Sequence, residues 1–229
     1  ARLRSLAGAH AVGRNVLGSG RTHASGTTDA VVSRIALRAT ARAVREPPEP
    51  DPVLPVLVDE MLFDADPVTR LNAGFLISAT PYREPVAAAV VEEIPDAVRG
   101  DGPRAVALLA ALGALAACPD RALLERLVLA PGVRPAVNEA AARALALVPG
   151  RSDATFWTAA LRRHRTDWQR SGSTTTLTTL RRLVQALGVA DERPVLAGLG
   201  RDPDVPAAIR TTAAWWLTVD ATTRQSAAA

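Results

Sequence analysis

Lysine is absent from this chain: all 27 basic residues are arginine. That absence removes chemistry. A Walker-type phosphate loop, a kinase nucleotide lysine, a pyridoxal Schiff base and a lysine general base all need the missing ammonium group. Aromatic residues make up only 3% of the sequence, whereas cores and ligand pockets ordinarily lean on aromatics for contact area. The single cysteine, Cys118, permits neither an intrachain disulfide nor a cysteine-rich zinc site, and reads as a small buried hydrophobe. His10, His23 and His164 lack the spacing of metal ligands. There is no G-x-S-x-G elbow. The glycines of "GSGRTHASG" lack the strand–turn–helix setting of a phosphate cradle.

Asp59/Glu60 and Glu92/Glu93 are neighbours in sequence, so on a helix each pair diverges, and all four are expected on solvated surface. The sequence therefore assigns no catalytic, cofactor-binding or metal-binding residue, expects no cofactor, and reads as a non-enzyme. Long apolar runs are missing too. The longest, Ala105 to Cys118, ends at Pro119 and is too short for a typical membrane helix. No signal peptide is visible, so the expectation is a cytoplasmic protein without a membrane partner. The chain starts at Ala1 without an initiator methionine and is helix-like by Leu3. Further residues upstream are expected.

What is present is Ala, Leu and Val, within a hydrophobic content of 48%. Small side chains let helices approach closely and leave little room for a large cofactor cavity. The Ala, Gly, Pro and Arg bias points to a high-GC bacterial genome.

Four segments read alike: "DADPVTRLNAGFLISA" (64–79), "GDGPRAVALLAALGAL" (100–115), "PGVRPAVNEAAARALAL" (131–147) and "RDPDVPAAIRTTAAWWL" (201–217). Each opens in a turn rich in Asp, Gly or Pro and continues as an Ala/Leu-rich helix. Anchored on Arg70, Arg104, Asn138 and Arg210, the steps are 34, 34 and 72 residues. The last step spans two units, and the missing member is the helix "STTTLTTLRRLVQALG" (173–188), with Leu177, Leu180, Leu183, Val184 and Leu187 on one face.

Partner helices are predicted between them, over 52–63, 84–94, 120–130, 152–169 and 191–199. Glu84-Pro85, Asp120, Ser152 and Asp191 stand where helices start. Pro81, Pro119, Pro131 and Pro149-Gly150 stand where they end. Upstream, Ala30–Arg45 reads as a further amphipathic helix, residues 18–29 as a Gly/Ser/Thr loop and Pro47–Pro52 as a stiff linker. Sustained period-two alternation is missing, so no sheet is predicted.

This pattern resembles HEAT-type repeats. In that family an Asp of the inter-helix turn sits six residues before an Arg of the second helix, a spacing matched by Asp64/Arg70 and by Asp204/Arg210. The resemblance covers about 50–217. It departs at the third unit, where Gly132 and Asn138 replace the pair, and at the fourth, where the turn is Ser/Gly. It implies an all-α, right-handed α-solenoid of about five helical hairpins preceded by one or two N-terminal helices. Residues 1–46 form the N-terminal helical segment and 47–229 the repeat domain, continuous with it. It also implies that Asp64, Arg70, Asp204 and Arg210 form a structural hydrogen-bonding ladder. Such a resemblance identifies architecture, not activity.

Charge is unevenly spread. Residues 1–45 hold eight Arg against one Asp, 46–101 three Arg against twelve acids, and 102–229 sixteen Arg against ten acids. An acidic belt between basic flanks is a poor track for a nucleic-acid backbone. It suits protein docking or pairing between neighbouring regions of the chain itself. The densest basic cluster, Arg162, Arg163, Arg165 and Arg170 with Arg181 and Arg182, reads as a solvated helix face or as a partner-binding patch. Trp157, Leu161, His164 and Trp168 lie on one helical stripe and are expected in the core, His164 as a hydrogen-bonded interior histidine. Trp216 is also expected there, with Trp215 toward an edge as a cap or a partner anchor.

The function these features favour is a non-catalytic interaction or regulatory module that binds a protein or peptide. Two alternatives stand beside it. One is the effector or dimerisation region of a bacterial transcription regulator. The other is a HEAT-like DNA-binding or alkylpurine-glycosylase-like repair protein, in which Trp157, Asp167, Trp168 and the arginine cluster would meet nucleic acid.

Overall fold

The computed structural model describes residues 27–43 and 52–219. These residues form eleven helices and no strand. The helices are α1 (Thr27–Ala43), α2 (Leu54–Phe63), α3 (Pro67–Ser78), α4 (Arg83–Gly100), α5 (Gly102–Leu115), α6 (Arg121–Leu129), α7 (Pro135–Leu147), α8 (Ala154–Ser171), α9 (Thr174–Val189), α10 (Arg193–Arg201) and α11 (Ala207–Thr218). The chain is all-α over this range. Residues 1–26, which include most of the expected loop over 18–29, and residues 44–51 of the linker lie outside the described residues.

Local chemistry starts the helices. Asp66 caps α3 by accepting from Val68 N and Thr69 N at 3.1 and 3.2 Å. Asp101, Asp120 and Asp153 cap α5, α6 and α8 through Arg104 N, Leu123 N and Phe156 N. Each carboxylate satisfies a donor that the first turn leaves open. Proline in the first turn of α2, α3, α5, α7 and α10 sacrifices an N–H that has no helical acceptor there.

Consecutive helices pack against each other in pairs: α2 with α3, α4 with α5, α6 with α7, α8 with α9, and α10 with α11. The second members also touch one another in order, α3 on α5, α5 on α7, α7 on α9 and α9 on α11. The buried apolar residues form one continuous cluster from Val31 to Trp216. Small residues set the spacing of this row. A methyl added at Gly74 of α3 would lie 2.5 Å from Ala114 Cβ of α5. One added at Gly113 of α5 would lie 2.9 Å from Leu147 Cδ1 of α7, and one at Gly188 of α9 would lie 2.5 Å from Trp216 Cε2 of α11. Helices this close leave no space for a larger side chain at those points.

The N-terminal helix α1 lies against α4 and α2. Its arginines hold it there. Arg34 Nε and Nη2 donate to Glu93 Oε1 and Oε2 at 3.0 and 2.9 Å, and Arg38 Nη1 donates to Oε1 at 2.9 Å. Arg42 pairs with Glu92. The basic flank and the acidic belt thus neutralise each other within the chain over these residues.

Several expectations need correction. Glu93 is not on solvated surface but 5% exposed, because α4 is covered by α1 on one side and α5 on another. Glu60 is buried as well. The helix expected to end at Ile94 continues through Pro95 to Gly100. Pro95 is exposed, so water can serve the carbonyl its ring leaves open, while Ile94 and Ala97 stay buried and hold the turn in place. The cap of α8 is Asp153 rather than Ser152. Asp191 adopts a left-handed φ of 57°, so α10 starts later, at Arg193 with Pro194 behind it. Finally, α1 begins at Thr27, inside the segment read as a loop.

Candidate functional site

The register position shared by Arg70, Arg104, Asn138 and Arg210 has a recurrent local use. Near the start of a second helix, the side chain reaches back to carbonyls left open where the preceding segment ends. Arg70 Nη1 donates to Asp64 O at 2.5 Å. Asn138 Nδ2 donates to Leu127 O at 2.6 Å and Arg210 Nη1 to Pro203 O at 3.2 Å. The acceptors in these bonds are backbone oxygens. The Asp64 carboxylate accepts from Asp66 N, and Asp204 O accepts from Gln169 Nε2 at 3.5 Å.

Arg104 is the exception. Because α4 runs on to Gly100 and α5 begins at Gly102, no open turn stands behind it. Its Nε is buried without a hydrogen-bond partner among the described residues. The side chain lines a groove of about 490 Å³ together with Arg70 of α3 and Arg143 of α7. Asp64 and Asp101 line it too, as do Val106, Ala107 and Ala110. A smaller recess of about 100 Å³ adjoins it, sharing Arg70, Ala110 and Arg143, and adds Leu71, Leu109 and Ala114. The small residues of α5 are what open the groove: with no side chain beyond Cβ at Ala107 and Ala110, the arginines of three successive second helices face a common space. Arg143 is exposed and makes no hydrogen bond or ion pair among the described residues.

The arginine cluster read from the sequence is brought partly together and partly spent on internal contacts. Arg163 bonds Leu129 O, tying α8 to the end of α6, and lies 3.6 Å from Asp167. Arg165 pairs with Asp202 at 2.6 Å. Arg182 donates to Glu139 at 3.2 Å and to Gln185 at 3.1 Å. Arg170 is an exposed neighbour of Asp167 at 3.8 Å. Arg162 and Arg181 are exposed and make no side-chain bond among the described residues. Arg162 and Arg165 flank a second cleft of about 420 Å³, mostly apolar, between α8, α9, α10 and α11. Trp215 is 48% exposed and packs edge-on against buried Trp216, ring centroids 4.9 Å apart. Trp157 is fully buried and so offers no face to a base, Trp168 is packed against the core, and Asp167 is shared by Arg163 and Arg170.

Titratable groups inside the fold serve structure. The bonds from Arg34 hold the Glu93 carboxyl below its usual range despite burial, and Arg104 adds only a longer-range charge. Burial pushes the imidazole of His164 below its ordinary value. Its Nε2 lies 3.0 Å from Val128 O, an atom that can only accept, so the neutral ring carries its proton on Nε2. Burial raises the Cys118 thiol, whose Sγ lies 3.3 Å from Asp120 O. A raised, half-buried thiol is a poor nucleophile.

Among the described residues no three His, Cys, Asp or Glu side chains come together to hold a metal, and no helix is long and apolar enough to cross a membrane. The groove was not foreseen from the sequence. Arg70 and Arg104 were visible as repeat anchors, and their 34-residue spacing was the available signal, but Arg143 falls outside that register. No protein-family model matches this sequence, and no curated protein or solved structure is significantly similar to it.

Proposed function

We propose that this chain is a non-catalytic, cytoplasmic interaction or regulatory module of HEAT type from a bacterium, which binds a protein or peptide along the row of its second helices. Under this reading α2 to α11 are five hairpins of a right-handed α-solenoid, and α1 closes the first-helix side of its start. The observation that carries it is the ordered contact of α3, α5, α7, α9 and α11, each with the next. A row of this kind exposes a continuous wall whose area is large relative to any one pocket, which suits an extended partner better than a small molecule. The groove lined by Arg70, Arg104 and Arg143 and the cleft flanked by Arg162 and Arg165 hold arginine beside apolar residues and no grouping of nucleophile, base and orienting partner.

The test is affinity capture with the full chain followed by hydrogen exchange on the purified complex. A saturable partner that protects amides of the second helices supports the reading. No saturable partner, or protection confined to the first helices α2, α4, α6, α8 and α10, overturns it.

A further inference from the structure

We infer that the groove formed by Arg70, Arg104 and Arg143 takes an acidic peptide segment whose apolar side chains lie on Leu71 and Phe75. This rests on the partner-binding reading above and names the place and the chemistry.

Every other arginine at the repeat anchor is committed to an open carbonyl; Arg104 is not, and its side chain makes no hydrogen bond or ion pair among the described residues. Its terminal guanidinium nitrogens can therefore donate to a carboxylate entering the groove. Arg143 faces the same space without a hydrogen bond or ion pair among the described residues. Asp64 and Asp101 of that lining are used locally, each accepting from a backbone N–H two or three residues on.

Val68, Leu71 and Phe75 are spaced three and four apart on α3, so they share one face. All three are exposed, Phe75 at 68%, in a chain that has only three phenylalanines. Leu71 lines the recess that also contains Arg70 and Arg143, so the apolar face and the basic groove are continuous. Carboxylates on the arginines with leucine-like side chains on α3 fit that surface. A nucleic-acid backbone fits it poorly, since Asp64 and Asp101 line the groove and interrupt its positive charge.

A random-sequence peptide display library selected on the full chain provides the probe. Enriched peptides should combine Asp or Glu with Leu, Ile or Phe. They should bind the Arg104→Gln/Arg143→Gln variant about tenfold more weakly or worse, roughly one lost charge-assisted contact. Binding to Phe75→Ser should weaken as well, and hydrogen exchange should place the peptide on α3, α5 and α7. Circular dichroism and the urea midpoint of each variant establish that it is folded, and all three positions are exposed or groove-lining, so the fold should tolerate them. Selection without acidic enrichment, unchanged affinity for the double variant, or preferential binding of single-stranded DNA would each overturn the proposal. Enriched peptides that instead protect α9 and α11 would overturn this site while leaving the broader partner-binding reading intact.

Discussion

Replacing Gly188 by alanine tests the close packing of the second helices with a single methyl group. Gly188 is buried in α9, and the new Cβ would lie 2.5 Å from Trp216 Cε2 and closer still to two other ring carbons. Ordinary contact begins near 3.4 Å, so the indole of α11 must move by about an ångström or α9 and α11 must part. Trp216 is 3% exposed and has no free space to enter. Overpacking costs about 1–3 kcal/mol, and so close an approach to three atoms of a buried ring belongs in the upper half of that range, about 2–3 kcal/mol; the helix preference of alanine over glycine returns about 1 kcal/mol. The net expectation is a loss of about 1–2 kcal/mol.

Gly198 supplies the control. It lies exposed in α10 with nothing within 4 Å of an added Cβ, so Gly198→Ala should stabilise by about 0.5–1 kcal/mol from the same propensity term alone. Equilibrium urea unfolding of both variants gives opposite signs for an identical chemical change. In a Trp216→Leu background the penalty at Gly188 should largely disappear, a coupling that a double-mutant cycle reads directly. Gly188→Ala as stable as the parent, or a penalty that persists without the indole, would refute the reasoning.

Glu93→Gln should cost about 2 kcal/mol in urea unfolding, because the buried carboxylate accepts three charge-assisted bonds from Arg34 and Arg38. Hydrogen exchange should quicken first in α1, and an unchanged α1 would contradict its tethering by that carboxylate. The depressed pKa of His164 makes a signed prediction. The folded state prefers the neutral ring, so its contribution is fully present above the ordinary value of 6.5 and is lost as pH falls through the lower folded value. His164→Gln should therefore flatten the stability profile just below pH 6.5, and identical profiles would exclude a burial effect at this ring.

Much of the fold was legible because helix signals are local. The Asp120 cap, the stops before Pro81, Pro119 and Pro131, and the burial of Trp157, His164 and Trp216 against the exposure of Trp215 all follow from neighbours within a turn or two. What was illegible depends on distant partners. Nothing near Glu93 announces that Arg34, 59 residues away, will cover it. Proline signals a stop, yet packing around Ile94 and Ala97 outweighed it and carried α4 to Gly100. That single extension then changed the candidate site: it removed the turn that would otherwise have occupied Arg104. The repeat register located Arg70 and Arg104, but only the stacking of α7 on α5 brought Arg143 to the same groove.

Native-state hydrogen exchange across the full chain reads the row of second helices directly. Each helix of a stacked row is stabilised by the neighbours it touches, so protection should be greatest where a helix is flanked on both sides. The slowest amides should lie in α5, α7 and α9, with faster exchange toward α3 and α11 at the ends. Uniform protection along the chain, or a slowest core centred on α6 and α10, would contradict it.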